Sequence, residues 1–264
     1  MNLLRVKHLE KSFGGVSAIS NLSFDLPKGI VFSVIGPNGA GKTTLFNMLC
    51  GFYTPDQGSI IFKKENAEYD KEVMYHSLHN MATHQIAACG ISRSFQNLQI
   101  FFNMTALENV MVGCHLQSSS RFLPSLLRLP SVIKEEQRVK QQALNALAFC
   151  HLDHLANEMA DSLAYGDLKR LEIARALASK PQLLMLDEPA AGLNDTETQQ
   201  MSHLIRKICA SGVTVLLVEH NMELVMTSSD QILVLNFGHL LAQGTPDEIQ
   251  NNPVVVKAYL GEDI

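Results

Sequence analysis

Short apolar runs alternate with turn residues through the first part of the chain. Four of these runs have the length and the content of β-branched and aromatic residues that are typical of strands, and glycine and proline lie between them. They read LLRVKHL, LSFDL, IVFSVIG and SIIF. After the third run, which ends at Gly36, the segment KTTLFNMLC has the pattern of a helix. The sequence therefore predicts a strand, a glycine-rich loop and a helix in succession.

Apolar positions recur with helical spacing between residues 104 and 161. Leu144, Leu147, Ala148 and Leu152 stand at i, i+3, i+4 and i+8, which predicts one buried helix face. Because strand-like segments resume farther along the chain, we expect a helical lobe at about 104–178. It would be inserted between two halves of an α/β core.

Helical segments alternate with strongly apolar strand segments after Gly166. In order they read LKRLEIARALAS, LLMLD, TETQQMSHLIRKICA and VTVLLVE. This alternation predicts parallel strands joined by crossover helices, which is a doubly wound core. Near the end, QILVLNFGHLLAQG predicts a hairpin that turns at residues 236–238, and a short helix is expected from Pro246.

Charge rises sharply at residues 63–75, which read KKENAEYDKEVMY. So many charged side chains in succession indicate a solvated loop or an insertion. No activity is assigned to this stretch.

Composition narrows the class of protein. The chain is 46% apolar and has a formal net charge of -5, whereas proteins that bind nucleic acid usually carry a basic excess, so we expect no nucleic-acid partner. Five scattered cysteines without a CxxC pair are typical of reduced thiols. The apolar runs are far shorter than the roughly 20 residues of a spanning helix, and the first residues lack the pattern of a signal peptide. We therefore expect a cytoplasmic protein.

The glycine-rich loop fits the pattern G-x-x-x-x-G-K-[ST] at every fixed position. Its glycines allow backbone N–H groups to point at phosphate oxygens, and the helix that follows adds the positive end of its dipole. Lys42 is expected to reach the β- and γ-phosphates, and Thr43 to bind Mg²⁺. The loop residues are Gly36, Pro37, Asn38, Gly39, Ala40, Gly41, Lys42, Thr43 and Thr44.

Two later strands end in groups that suit phosphate chemistry. The apolar run LLML ends at Asp187 and Glu188, where Asp187 can hold magnesium through water and Glu188 can polarise the attacking water. The run VTVLLV ends at Glu219 and His220, at the strand edge where ligands of open α/β sheets collect. Taken alone, His220 fits a structural histidine. After the phosphate loop and the two acids, it fits a γ-phosphate sensor.

In this order, the phosphate loop, Gln96, LAYG, Asp187-Glu188 and His220 resemble the ATP-binding-cassette (ABC) ATPases over essentially the whole chain. The resemblance implies a P-loop NTPase core with a mostly parallel sheet, an N-terminal antiparallel β subdomain and an inserted helical subdomain. It implies ATP and Mg²⁺ as ligands, with Gln96 binding Mg²⁺ and sensing a transmembrane partner. Phe13 matches the aromatic residue that stacks on adenine, and the alternative for Phe13 is a place in the core.

The signature motif of the family has a variant form in this chain. LAYGD stands where the family has LSGGQ, whose backbone and serine touch the γ-phosphate of the opposite protomer. A helix N-terminus at this point still suits an anion, and the side chain of Asp167 is expected to turn away and cap the helix. The residues are Leu163, Ala164, Tyr165, Gly166 and Asp167.

A second variant motif matches the D-loop of the family. Its residues are Ala191, Gly192, Leu193 and Asn194, with Asn194 in place of the usual aspartate. Because the signature of one protomer closes over the ATP of another, the resemblance implies that hydrolysis requires a dimer. The second ATPase subunit is either an identical copy or a paralogue.

Within the family, AAGLN, VEHNMELVM and the C-terminal segment AQGTPDEIQNNPVVVKAYLGE resemble the larger ATPase of LIV-type branched-chain amino-acid importers. That resemblance implies a transmembrane permease as partner, an extracytoplasmic solute-binding protein acting indirectly, and a peripheral position on the inner face of the cell membrane. Importers of urea or short amides and lipopolysaccharide exporters have very similar ATPases. The remaining alternatives are a soluble ABC protein of DNA repair, translation or cluster assembly, and another P-loop enzyme such as a small kinase.

Overall fold

The computed structural model describes residues 1–65, 73–94, 98–114 and 130–260. The chain forms two compact units. The first combines Met1–Arg93 with Gln182–Ile264, and the second is Ser94–Pro181. The helical lobe predicted at about 104–178 lies within the limits of the second unit.

The strands of the described residues all belong to two sheets. A four-stranded antiparallel sheet has the order β2-β1-β4-β5, and a six-stranded sheet has the order β10-β9-β3-β8-β7-β6. In chain order the strands are β1 (Asn2–Phe13), β2 (Val16–Pro27), β3 (Val31–Ile35), β4 (Gln57–Glu65), β5 (Val73–Ser77), β6 (Ile91–Arg93), β7 (Leu183–Asp187), β8 (Thr214–Val218), β9 (Gln231–Asn236) and β10 (His239–Gly244).

The six-stranded sheet is parallel except for its last pair, β9 and β10. Every residue of β3, β7 and β8 is buried, as expected of central parallel strands that are covered on both faces. The mostly parallel core, the N-terminal antiparallel sheet and the β9–β10 hairpin that turns at Phe237-Gly238 confirm the predicted fold class.

Helices connect these strands or form the second unit. The predicted helix at Pro246 is confirmed, and a further helix follows it that the sequence patterns did not indicate. In chain order the helices are α1 (Lys42–Leu49), α2 (Thr83–Ala88), α3 (Ala106–Gly113), α4 (Pro130–Phe149), α5 (Tyr165–Ala178), α6 (Asp195–Ala210), α7 (Met222–Ser228), α8 (Pro246–Gln250) and α9 (Pro253–Leu260). Within the described ranges, none of them is long and apolar enough to cross a membrane.

The buried face predicted for the second unit was partly wrong. Leu147 and Leu152 are buried as predicted, but Leu144 is only partly buried and Ala148 is exposed. Ala143 and Cys150 are buried as well, and with Leu147 they stand at i, i+4 and i+7. Because alanine is small and only weakly hydrophobic, the periodicity of the sequence alone does not decide which of two neighbouring helix faces is buried. The residues that pack against the helix decide it.

The interpretation of residues 63–75 as a solvated loop was wrong at both of its ends. Strand β4 continues through Glu65, strand β5 begins at Val73, and the two pair in antiparallel register with Lys63 opposite Tyr75. Lys63 is buried. Charged residues can occupy a strand because pairing satisfies their backbone groups, and the ammonium group of Lys63 donates to the sulfur of Met1 at 2.7 Å. Residues 66–72 lie outside the described part of the chain.

Candidate active site

The predicted chemistry lies at the carboxyl ends of three neighbouring strands. Strand β8 pairs with β3 on one side and with β7 on the other, and all three run parallel. The loop from Gly36 therefore follows β3, Asp187 ends β7, and Glu219-His220 follows β8. This common edge belongs to the first unit of the fold.

The conformation of the phosphate loop depends on glycine at two points. Gly41 has φ +101°, and a Cβ atom there would lie 2.5 Å from the carbonyl oxygen of Ala18. A Cβ atom at Gly36 would lie 2.1 Å from the carbonyl oxygen of Leu235. Any side chain at either position would displace backbone. The loop ends at α1, whose N-cap residue Gly41 makes no side-chain capping bond, so this helix start suits an anion.

Lys42 lies across the phosphate loop. Its Nζ donates hydrogen bonds to the carbonyl oxygens of Gly36 at 2.7 Å and Pro37 at 3.0 Å. Burial lowers the pKa of Lys42, while the nearby carboxylates of Glu188 and Asp187 raise it. A buried ammonium group that faces two acids and donates to carbonyl oxygens can donate to phosphate oxygens in their place.

Glu188 and His220 come into direct contact. His220 Nε2 lies 2.8 Å from Glu188 Oε1, a distance at which an Nε2–H group donates a hydrogen bond to a carboxylate. Glu188 has φ +51°, an uncommon conformation for a residue with a side chain. Its backbone N–H donates to the carbonyl oxygen of Val218 at 2.8 Å. The left-handed turn after β7 thus places the Glu188 side chain beside the loop that follows β8.

A buried carboxylate that the motif analysis left without a role connects these two loops. Glu219 is 3% exposed, and its Oε1 accepts a hydrogen bond from the backbone N–H of Ala190 at 2.7 Å. Its Oε2 accepts from the N–H groups of His220 at 2.7 Å and Asn221 at 3.0 Å. The three bonds fasten the segment after Glu188 to the segment that carries His220. The only signal in the sequence was an acid at the end of an apolar strand.

Asp187 is held by a second residue that the motif analysis missed. Its carboxylate is 3% exposed and forms an ion pair with Arg93, the last residue of β6, at 2.7 Å. A single arginine in the segment CGISRSFQ was the available signal. Gln96, three residues later, lies outside the described residues.

The D-loop segment has a local structural role at its end. Asn194 caps α6, since its side chain accepts from the N–H of Glu197 at 3.0 Å and Glu197 Oε2 accepts from the N–H of Asn194 at 3.0 Å. Asparagine serves as well as aspartate in such a capping box. The residues before it, Gly192 and Leu193, lie in the turn between β7 and α6.

The signature segment begins a helix in the second unit. Helix α5 starts at Tyr165, with Ala164 as its N-cap residue and no side-chain capping bond. The expected capping role of Asp167 was therefore wrong. Asp167 forms an ion pair with Arg170 one turn farther along, because it lies inside the first turn and faces that side chain. Ala164 and Tyr165 are exposed, Leu163 is partly exposed, and Gly166 is buried.

Phe13 lies at the tip of the β1–β2 hairpin and is 43% exposed, so it is not a core residue. Its ring meets the ring of Tyr53 edge to face, with centroids 5.1 Å apart. The ammonium group of Lys11 lies 5.4 Å from the centroid of Phe13. The ring is thus supported by neighbours and remains accessible, as a base-stacking platform requires.

The last helix returns to the phosphate loop. Partial burial raises the pKa of Tyr259 in α9, and the nearby backbone of Gly36 opposes that rise. No motif in the sequence indicated that the C-terminal segment reaches the loop.

Known proteins are similar to this chain over nearly its whole length. The family model described as ABC transporter matches residues 19–191, and the model described as Branched-chain amino acid ATP-binding cassette transporter matches residues 239–264. The chain is 44% identical to the high-affinity branched-chain amino acid transport ATP-binding protein BraF of Pseudomonas aeruginosa, over 98% of each chain. It is 43% identical to LivG of Escherichia coli, a protein of the same description, again over 98% of each chain.

Solved structures lead to the same family. The ADP conformation of MJ1267, an ATP-binding cassette of an ABC transporter, has a TM-score of 0.82 and 32% identity, and the match covers 99% of this chain and 100% of that one. A nucleotide-free ATP-binding cassette from an ABC transporter has a TM-score of 0.81 and 33% identity, with the same coverage. With a family model that spans more than half of its length and relatives similar from end to end, this chain belongs to the ABC transporter family of ATP-hydrolysing cassettes.

Proposed function

We propose that the chain is the ATP-hydrolysing subunit of an importer that takes up branched-chain amino acids or related small polar solutes through a separate membrane permease. The observation that carries the hydrolytic role is the contact between Glu188 and His220 beside the loop of Lys42. The solute class is supported by the names of the relatives and by the match of residues 239–264.

Nucleotide binding is assigned to the phosphate loop and the hairpin tip. The backbone N–H groups of the loop and the start of α1 surround the phosphates, and Lys42 exchanges the carbonyl oxygens of Gly36 and Pro37 for β- and γ-phosphate oxygens. The exposed ring of Phe13 stacks on adenine. Thr44 completes the first turn of the helix at the phosphates.

Magnesium binding is assigned to Thr43, Asp187 and Gln96. Mg²⁺ prefers oxygen ligands, often carboxylates together with substrate phosphates; the exposed Thr43 and the Asp187 carboxylate at the end of β7 supply oxygens of that kind. Gln96 joins them on the basis of the family resemblance. When bound, Mg²⁺ neutralises charge on the β- and γ-phosphate oxygens.

Hydrolysis is assigned to Glu188 and His220. Glu188 orients a water molecule toward the γ-phosphorus and accepts a proton from it as the new P–O bond forms and the bond between the γ-phosphorus and the β–γ bridging oxygen breaks. His220 donates its Nε2–H to Glu188 before ATP binds, and we expect the same N–H to donate to the γ-phosphate afterwards. The products are ADP and inorganic phosphate.

The other half of the site comes from a second ATPase subunit, identical or paralogous. Ala164 and Tyr165 are exposed at the start of α5, which supports contact between the signature segment and the ATP held by the partner. The D-loop residues Gly192 and Leu193 are assigned to the same interface. Closure of two subunits over ATP and reopening after hydrolysis would drive the permease.

The helical unit offers an apolar surface for the permease. A groove of about 550 Å³ between α3 and α4 is lined by Met104, Met111 and Val112, among others. The side chains of Phe101 and Phe102, just before α3, are 44% and 48% exposed. Apolar groups gathered on one surface are typical of a contact with another protein. The permease would hold the subunit at the inner face of the membrane, and a solute-binding protein would act from the opposite side.

Substitution of Glu188 tests the hydrolytic role. Glu188→Gln is expected to lower ATP turnover by about 100-fold or more, as the loss of a general base does, while ATP affinity stays within about twofold. Turnover and fluorescent-nucleotide binding are the two measurements. The control is Glu223→Gln, an exposed acid in α7. Turnover of the Glu188 variant near the wild-type rate would contradict the assignment.

Transport in reconstituted vesicles tests the solute class. The subunit, co-purified with its permease, should support uptake of radiolabelled leucine that depends on ATP and on the solute-binding protein. Stimulation by urea and not by leucine would assign the amide class, and movement of lipopolysaccharide would assign an exporter. Failure to co-purify with any multispanning protein would favour the soluble, non-transport alternative.

A further inference from the structure

Arg93 connects three elements of the nucleotide site. It ends β6, and its Nη2 donates to Asp187 Oδ2 at the end of β7, at 2.7 Å. Its Nη1 donates to the side-chain oxygen of Asn47 in α1, also at 2.7 Å. Helix α1 is the one that begins at Lys42. The two arms of a single guanidinium group thus bridge the acid at the strand end and the helix of the phosphate loop.

Two aromatic rings and low exposure restrict the position of Arg93. Its guanidinium carbon lies 5.5 Å from the ring centroid of Phe46 and 5.9 Å from that of Phe52. The side chains of Arg93 and Asp187 are only 9% and 3% exposed. The planar guanidinium group of Arg93 lies near two aromatic rings and donates to two oxygen acceptors. It therefore loses little further conformational freedom when it orients the Asp187 carboxylate. The pair is therefore a rigid part of the site and not a surface ion pair.

Fixing one oxygen of a carboxylate determines where the other oxygen points. Arg93 occupies Oδ2 of Asp187, so the orientation of Oδ1 is set by a residue that is itself anchored to α1. Outer groups that orient metal-binding carboxylates commonly contribute 10- to 100-fold to metal affinity or activity.

We propose that Arg93 is a positioning residue for the magnesium-dependent reaction: it fixes the Asp187 carboxylate relative to the phosphate-loop helix. This inference rests on the magnesium role assigned above. We therefore expect that loss of Arg93 weakens the binding of ATP with magnesium and leaves the binding of ATP without magnesium nearly unchanged. Without magnesium, ATP is held by the phosphate loop and Lys42. With magnesium, its binding depends also on the orientation of Asp187.

The main variants are Arg93→Met and Arg93→Lys. Arg93→Met removes the fork, and the Mg²⁺ concentration for half-maximal ATP turnover is expected to rise about tenfold. Binding of a fluorescent ATP analogue in EDTA is expected to stay within about twofold of wild type. Arg93→Lys keeps the charge but cannot bridge both acceptors, so its magnesium requirement should lie between those of Arg93→Met and wild type.

The matched control breaks another arginine–aspartate pair of the same unit. Arg206 donates to Asp230 at 2.7 Å, the same distance as in the Arg93–Asp187 pair. Arg206→Met should leave the magnesium requirement unchanged. Should Arg93→Met fail to fold, as judged by urea denaturation, Asn47→Leu serves in its place. It leaves the bond to Asp187 and removes the anchor in α1, and it should shift the magnesium requirement in the same direction by a smaller factor.

The outcomes separate this inference from the proposed function. A wild-type protein that has no magnesium-dependent ATP turnover even when assembled with its permease and the second ATPase subunit would overturn the proposed function. A wild-type protein that depends on magnesium, together with a folded Arg93→Met variant whose magnesium requirement is within twofold of wild type, would overturn this inference alone. Equal losses of nucleotide affinity with magnesium and in EDTA would also overturn it, since Arg93 would then act through the loop.

Discussion

The strand-end region of the first unit and the signature segment of the second are held in different ways. At the strand ends, Glu219 joins two loops through three backbone hydrogen bonds, and Glu188 contacts His220 across them. At the signature, Asp167 pairs with Arg170 and Lys169 lies over the ring of Tyr165, and both contacts are within helix α5. The geometry of the strand-end region is set by contacts within one chain, whereas the signature segment exposes Ala164 and Tyr165 to solvent.

This difference teaches where substitutions should act. Changes at the strand ends should impair a single subunit, because its own contacts define the geometry. Changes at the signature should leave a single subunit able to bind ATP and should appear only in the rate of the assembled pair. The predictions below test this contrast, from the largest expected effect to the smallest.

Gly41→Ala should have the largest effect. The new Cβ would lie 2.5 Å from the carbonyl oxygen of Ala18 and 2.7 Å from Ile19 Cδ1, so the loop must shift. A displacement of about 1 Å can cost about 100-fold in function, and we expect a loss of ATP affinity of that order by fluorescent-nucleotide titration. Gly212→Ala is the control, since its φ of +97° gives the same strain with no atom within 4 Å. Equal affinities in the two variants would contradict the steric account.

Glu219→Gln should have an intermediate effect. The amide places an N–H donor against backbone N–H donors, and a buried group left unsatisfied costs about 1–3 kcal/mol. We expect a loss of stability of that size in urea denaturation and a turnover about tenfold lower, with ATP affinity nearly unchanged. The exposed Glu223→Gln is again the control. A folded variant with wild-type turnover would show that the Glu219 bonds do not position the pair of Glu188 and His220.

The hydrogen-bond network also shows what the sequence could and could not predict. The phosphate loop, Asp187, Glu188 and His220 were predicted at strand ends because spacing and strand polarity suffice to place them at one edge. The bonds of Arg93 and Glu219 were not predicted, since they join segments that are distant in sequence. An acid or an arginine at a strand end has no distinctive spacing. Only the register of β6, β7 and β8 brings these side chains to their partners.

Two predictions from the sequence were wrong because the sequence pattern does not show the contacts that these residues make. Asp167 was expected to turn away from the anion and cap the helix, but the helix begins two residues earlier and the carboxylate pairs with Arg170. Residues 63–65 and 73–75 pair as strands, although the high charge of the stretch 63–75 as a whole is typical of a loop. An ion pair determined the structure in the first case, and strand pairing determined it in the second. Composition reveals neither kind of partner.

Asp167→Asn should have the smallest effect. It removes a negative charge near the start of α5 and frees Arg170, so the partner's ATP should be held more strongly. Partly exposed ion pairs contribute about 0–1 kcal/mol, and we expect turnover to rise about twofold with no change in ATP affinity at dilutions that favour single subunits. Glu135→Gln breaks a similar pair with Arg138 in the same unit and is the control. A fall in turnover would contradict the repulsion that we assign to Asp167.

The central claim is that the complete site forms between two subunits, and mixing two inactive variants tests it most directly. Lys42→Ala removes the phosphate contact, and Gly166→Asp places a charged side chain at the buried first turn of α5. If the wild-type chain is active alone, each variant should be nearly inactive. An equal mixture should recover about a quarter of wild-type turnover, because half of the dimers then contain one intact composite site in a two-fold arrangement. A mixture as inactive as its two components, although the Gly166 variant still binds ATP, would contradict the claim.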